Sequence, residues 1–308
     1  MVIHIDSNHA STVKYGDVIH YSMADYDPVS VVQVEDLLQM LLAYRVVLLL
    51  VQHKTAVPHG AGIAEEDPAQ RVSLPGSLVL TLSILLPEAG FVTEEKTTGQ
   101  YVGEEYCWVI DPLDGTTNFI HDMAPYCVSI ALRNSTEVLL GVVYEVCRDE
   151  CFWAYKGGGA YLNDKAIRVS EINIMGQAQI LLGFPYDSQS YRPVALGLIA
   201  QFYGVVGAER LLGSAAVELC YVAAGRAEAR VEGLLGPWDV AAGCLVVSEA
   251  GGRVTDFCGG DTHLNGHEVL ASNGHIHEQL LRAVSKASSD EGLQAICSDG
   301  ERERLEYC

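Results

Sequence analysis

Trp108-Val-Ile-Asp111-Pro-Leu-Asp114-Gly-Thr-Thr-Asn-Phe119 is the stretch that decides how this chain reads. The apolar run from Tyr106 to Ile110 predicts a buried strand, and Asp111-Pro112 ends it. Proline fixes one dihedral and removes a donor, so the turn is stiff. A stiff turn can aim the carboxylates of Asp111 and Asp114 at one point. Gly115 then allows the backbone to approach a ligand closely. Thr116, Thr117 and Asn118 supply N–H groups and hydroxyls at a predicted helix start, where anions bind. One short segment therefore offers oxygens for a hard cation and a cradle for phosphate. The tripeptide Asp114-Gly115-Thr116 alone reads as a turn with a capping Asp. The specificity lies in the full string.

Working outward, strands and helices alternate from about residue 87. Tyr126 to Leu132 and Val138 to Val146 read as strands, and Glu150 to Leu162 as a strand pair around a glycine turn. Pro193 to Tyr203 has apolar residues at helical spacing. Ser214 is placed to cap a helix running to Ala224, and Pro237 opens another that ends at Gly251-Gly252. Arg253 to Phe257 and Glu268 to Ala271 read as short strands, and His275 to Val284 as a last helix. The fold class is α/β, with layered helices and mixed sheets. Ser30 to Leu42 could be a helix, Ala43 to Ser77 has no steady period, and the polar tail Ser285 to Cys308 reads as mobile.

The bulk properties narrow the function. With 308 residues the chain can build a substantial core. The longest aliphatic run, Val46 to Val51, is too short to span a bilayer. The start has no basic, apolar and cleavage-site pattern, which reads against export and for a cytoplasmic protein. A formal charge of −21 repels nucleic acid and anionic lipid, so neither is an expected partner. It would also repel a phosphorylated metabolite unless metal ions invert the field locally. The nine cysteines form no CxxC pair and read as free thiols in a reducing compartment. His275 and His277 read as surface groups.

The twelve-residue string resembles the inositol monophosphatase family signature. Two further elements fit, in the same order: Gly90-Phe-Val-Thr-Glu94-Glu95, and Trp238-Asp239 followed by Glu249-Ala-Gly-Gly252. The likeness runs from about Leu85 to Leu281, and Leu78 to Glu88 looks like the family's helix before the Glu-Glu strand. It implies the layered sugar-phosphatase fold and hydrolysis of a phosphate monoester by two-metal activation of water. Carried over residue by residue, it implies magnesium ligands at Glu94, Asp111, the Leu113 carbonyl, Asp114 and Asp239. Glu94, Thr116 and Asp111 become the catalytic residues, with Glu94 and Thr116 orienting the water. Asp114, Gly115, Thr116, Gly213, Ser214, Ala215, Glu232 and Asp239 become the phosphate and polyol contacts. Two magnesium ions are implied, with a third in some relatives, and relatives are commonly homodimers.

Thr117-Asn118-Phe119 is typical of the inositol monophosphatase branch, so inositol monophosphate is the leading substrate. Histidinol phosphate, a sugar phosphate and adenosine 3′,5′-bisphosphate are the alternatives. A catalytically impaired interaction protein that keeps the fold is the rival from another class. Two Glu-Glu decoys lose to Glu94. Glu104 lies only seven residues before Asp111, whereas Glu94 leaves room for a strand, a loop and a return strand; no strand pattern leads into Glu65-Glu66. The family's N-terminal Lys and Asp-x-Val-Thr element is not found, although Asp36, Lys54 and Asp67 occur. The disagreement is confined to Ala43 to Ser77, from a reading-frame slip or real divergence. Met23 looks like a natural start, which would make residues 1–22 spurious.

Overall fold

The computed structural model describes residues 78–80, 82–94, 105–185, 191–265 and 267–289. All fall within the second of two units, Ala61–Cys308; the first unit is Met1–Gly60. The expectations for residues 1–22, Ser30 to Leu42, Ala43 to Ser77, Glu65-Glu66 and Glu104 lie outside the described residues, as does the tail expected from Ser285, except that residues 285–289 instead continue the last helix.

Seven strands form the first sheet in chain order: β1 (Gly90–Thr93), β2 (Cys107–Asp114), β3 (Cys127–Arg133), β4 (Val138–Glu145), β5 (Glu150–Tyr155), β6 (Ala160–Leu162) and β7 (Lys165–Ile167). Only β1 and β2 pair in parallel. The second sheet has the order β11-β12-β10-β8-β9, built from β8 (Gln179–Leu182), β9 (Ala208–Arg210), β10 (Ala229–Leu235), β11 (Arg253–Thr255) and β12 (His267–Ser272). Besides the helical residues 78–80 and 82–85, the helices are α1 (Thr116–Ile120), α2 (Arg192–Phe202), α3 (Ala215–Ala223), α4 (Pro237–Glu249) and α5 (His277–Ser289).

The core explains the layering. Helices α3 and α4 are buried nearly all round, because each packs against both sheets. Their Val217, Leu219, Val240 and Val246 share one cluster with Val109, Val143 and Phe152 of the first sheet and Leu181, Val269 and Ala271 of the second. Gly141 makes the approach of β4 to α4 close: a Cβ there would lie 2.8 Å from the Ala242 carbonyl oxygen. The opposite face of the second sheet, with Ile180, Val231 and Leu270, meets α2 and α5 through Val194, Leu198, Leu280 and Val284. The result is the layered α/β arrangement of mixed sheets and helices that the pattern predicts. No helix among the described residues is long and apolar enough to cross a membrane.

Four local expectations are corrected. Strand β2 does not stop at Asp111-Pro112; it continues to Asp114 with its register on β3 shifted between Asp111 and Asp114. Proline is tolerated there because the ladder is already broken at that point. The partner of β1 is not an antiparallel return strand, since β1 and β2 run parallel. His277 is fully buried, with Nε2 3.0 Å from Thr255 Oγ1 and Nδ1 2.8 Å from Ser272 Oγ; His275 is the solvent-facing one. Six of the described cysteines are free, but Cys258 is disulfide-bonded.

Candidate active site

Thr93 of β1 sits opposite Ile110 of β2, and that register brings Glu94 level with Asp111. The Glu94 amide donates to the Ile110 carbonyl at 3.2 Å. Asp111 and Asp114 flank the break in the β2–β3 ladder. Asp239 comes from the first turn of α4, where its Oδ2 accepts the Gly236 N–H at 2.7 Å. Ligand oxygens of Asp111, Asp114 and Asp239 lie within 4.8 Å of one another. Glu94 stands at the edge of this cluster, solvent-exposed and lining the same cavity.

Electrostatics follow from the crowding. Burial pushes the Asp111 carboxyl well above the usual range, and the charges of Asp114, Glu94 and Asp239 push it further. Asp239 is pushed up to about 8, first by burial and then by Asp114, with the Gly236 N–H opposing. Buried acids this close resist ionising together, and a divalent cation among them removes the repulsion. The donors that meet there are all carboxylate oxygens, which suits magnesium and not a soft, thiolate-seeking metal.

Asp114 has a second set of partners. Its carboxylate accepts the Ser214 hydroxyl at 2.7 Å, the Ala215 N–H at 3.1 Å and the Ala216 N–H at 2.8 Å. This corrects the expectation that Ser214 caps its own helix: Ser214 makes no side-chain cap, and Asp114 satisfies the free amides at the start of α3 instead. Helix α1 is only five residues long and begins after Gly115, whose φ of 90° is a left-handed conformation. The Thr116 hydroxyl donates to the Leu113 carbonyl at 3.0 Å. Asn118 Nδ2 donates to the carbonyls of Pro125 at 2.8 Å and Leu212 at 2.6 Å, tying α1 to the loop before α3.

The structure brings every predicted site residue to one cavity of about 920 Å³: Glu94, Asp111, Leu113, Asp114, Gly115, Thr116, Gly213, Ser214, Ala215, Glu232 and Asp239. Three further residues were not found in the sequence. Glu218 and Gly183 line the cavity, and the buried Arg230 bridges Glu218 to Glu232. A lone Glu in the apolar run of α3 was the available signal for Glu218. Arg230 lies on a strand that the mixed Ala-Arg-Val-Glu pattern did not reveal.

A model of the inositol monophosphatase family matches residues 69–289. The chain is 39% identical over 208 residues to an inositol-1-monophosphatase of Mesorhizobium japonicum, covering 68% of this chain and 78% of the relative. It is 38% identical over 205 residues to the Nus factor SuhB of Pasteurella multocida, covering 67% and 77%. Among solved structures, an IMPase of Thermotoga maritima superposes with a TM-score of 0.68 at 31% identity, covering 80% of this chain and 95% of that one. With the family's layered fold and its acidic cluster both in place, this chain belongs to the inositol monophosphatase family.

Proposed function

We propose that the protein hydrolyses the phosphate monoester of a small polyol, inositol monophosphate foremost, with magnesium. The observation that carries this reading is the meeting of carboxylates from three separate stretches in one cavity also lined by Gly213, Ser214, Ala215 and Glu232.

Glu94, Asp111, the Leu113 carbonyl, Asp114 and Asp239 would hold two magnesium ions. Bound there, the ions would neutralise the phosphate, lower the pKa of a water and stabilise the leaving alkoxide. Gly115 and Thr116 hold the phosphate through their backbone N–H groups. Glu94 and the Thr116 hydroxyl orient the attacking water, and Glu94 takes its proton. Glu232 and the Gly213–Ala215 segment hold the hydroxyls of the departing polyol. No enzyme nucleophile is required. The nearest thiol, Cys127, lies 3.5 Å from Asp114 Oδ2, and burial pushes it well above the range of a reactive thiolate.

A panel of inositol monophosphate, histidinol phosphate, a sugar phosphate and adenosine 3′,5′-bisphosphate with magnesium tests the reading. Phosphate release from the inositol ester, abolished by EDTA, is expected. A second reading is a Nus-factor role, motivated by relatives that carry that name. Folded protein that releases no phosphate from any ester would favour it.

A further inference from the structure

The residue with the least obvious reason to be where it is, is Arg230. It is 1% exposed and is the second residue of β10. Its neighbours Ala229 and Val231 face the α2–α5 layer, so Arg230 and Glu232, two apart, share the opposite face. There Arg230 Nε donates to Glu218 Oε2 at 3.0 Å, and Nη2 donates to Glu232 Oε2. Glu218 Oε1 accepts the Leu212 N–H at 2.7 Å and the Gly213 N–H at 3.1 Å. One chain of contacts thus runs from the Leu212–Gly213 loop through Glu218 and Arg230 to Glu232.

A buried ion pair contributes less stability than apolar residues of the same volume would. Arg230 Nη1 also has no acceptor among the described residues, so the guanidinium is not fully satisfied even here. Packing therefore gives no account of an arginine at this place. Its geometry does: Nη2 occupies Glu232 Oε2 and leaves Oε1 as the remaining acceptor. Gly183 leaves the room the Glu232 carboxylate occupies, since a Cβ there would overlap it. Both Glu218 and Glu232 line the cavity.

We propose that Arg230, anchored by Glu218, is a positioning residue that fixes the Glu232 carboxylate to accept a hydroxyl of the substrate's leaving group, and so sets selectivity for polyol esters. This rests on the function proposed above and deepens it. Arg230 acts through Glu232 and the Gly213 loop, not on the phosphate.

The test is the ratio of kcat/KM for inositol monophosphate to that for an aryl phosphate, whose leaving group has no hydroxyl to bind. Removing one hydrogen bond to a charged group is expected to lower the ratio by about tenfold in Arg230→Met, mainly through KM of the polyol ester. Because Arg230→Met strands a buried Glu218 charge, the double variant Arg230→Met/Glu218→Gln is measured beside it, and it should show the same fall. Adding Glu232→Gln to either variant should cost little more. A purely structural role would lower both esters alike and leave the ratio within twofold of wild type, which overturns the assignment while the proposed function stands. Wild-type protein that hydrolyses neither ester overturns both.

Discussion

The Ser214 hydroxyl donates to Asp114 Oδ2 at 2.7 Å across 100 residues of chain. With the Ala215 and Ala216 amides, it gives one carboxylate of the acidic cluster three donors from the start of α3. Asp111 accepts the Leu113 N–H at 2.9 Å and sits beside three other acids. Two aspartates three residues apart therefore have different roles in stability.

Asp111→Asn and Asp114→Asn should separate those roles. Both are expected to reduce magnesium-dependent turnover by 100-fold or more, roughly the loss of a key electrostatic group. Only Asp114→Asn should also destabilise the fold, by about 1–3 kcal/mol, because its amide offers one acceptor where three donors converge. Asp111→Asn removes like-charge repulsion and should unfold no earlier than wild type in EDTA. Denaturant titrations beside turnover measurements check both, and near-normal turnover in Asp111→Asn would refute its assignment.

Magnesium affinity should fall with pH. Asp239 is pushed up to about 8 in the metal-free site, so cation binding must displace a proton below that pH. For one proton the loss is up to about tenfold per pH unit. The same shift acts on stability. A carboxyl whose folded pKa exceeds its ordinary value binds its proton more tightly in the folded chain. Its contribution is full below the ordinary 3.8 and is lost as pH rises through about 8. In EDTA, Tm should therefore decline between about pH 6.5 and 8, where no histidine term opposes it, and saturating magnesium should reverse the decline. Calorimetry with and without the metal measures it.

His277 should produce the opposite slope at acid pH. Burial lowers it from 6.5 to about 4, and its two ring nitrogens lie against Thr255 and Ser272. A base with a depressed folded pKa contributes stability above its ordinary value, and this is lost as pH falls through about 4. His277→Gln should flatten the acid limb of the Tm profile between those values.

Gly115→Ala should be costly even without a ligand. The φ of 90° is unfavourable for a residue with a Cβ, and that Cβ would meet the Pro125 carbonyl oxygen at 3.0 Å and Ser214 Cβ at 3.3 Å. Strain of this kind costs about 1–3 kcal/mol, to be read from the denaturation midpoint.

Much of this site was legible because it is local. Asp111-Pro-Leu-Asp114-Gly-Thr is one continuous segment, and the apolar periods of β3, β4, α3 and α4 are strong. What escaped is what only pairing creates. Strands β8 and β9 are short, and nothing in their sequence says that β8 lies parallel beside β10 and β9 parallel beside β8. Ser214 has the right residue type for a cap, but the buried Asp114 competes for its hydroxyl. His277 looks like a surface histidine until the fold closes Thr255 and Ser272 around it. Arg230 escaped because its Ala-Arg-Val-Glu pattern does not announce a strand, still less one covered on both faces.

The most direct check of the central claim is to locate the cations. Crystals grown with manganese in place of magnesium, recorded at an anomalous wavelength, should show peaks bounded by Glu94, Asp111, Asp114 and Asp239, and Asp111→Asn crystals should lose them. A well-ordered cavity with no anomalous peak at saturating manganese would contradict the account.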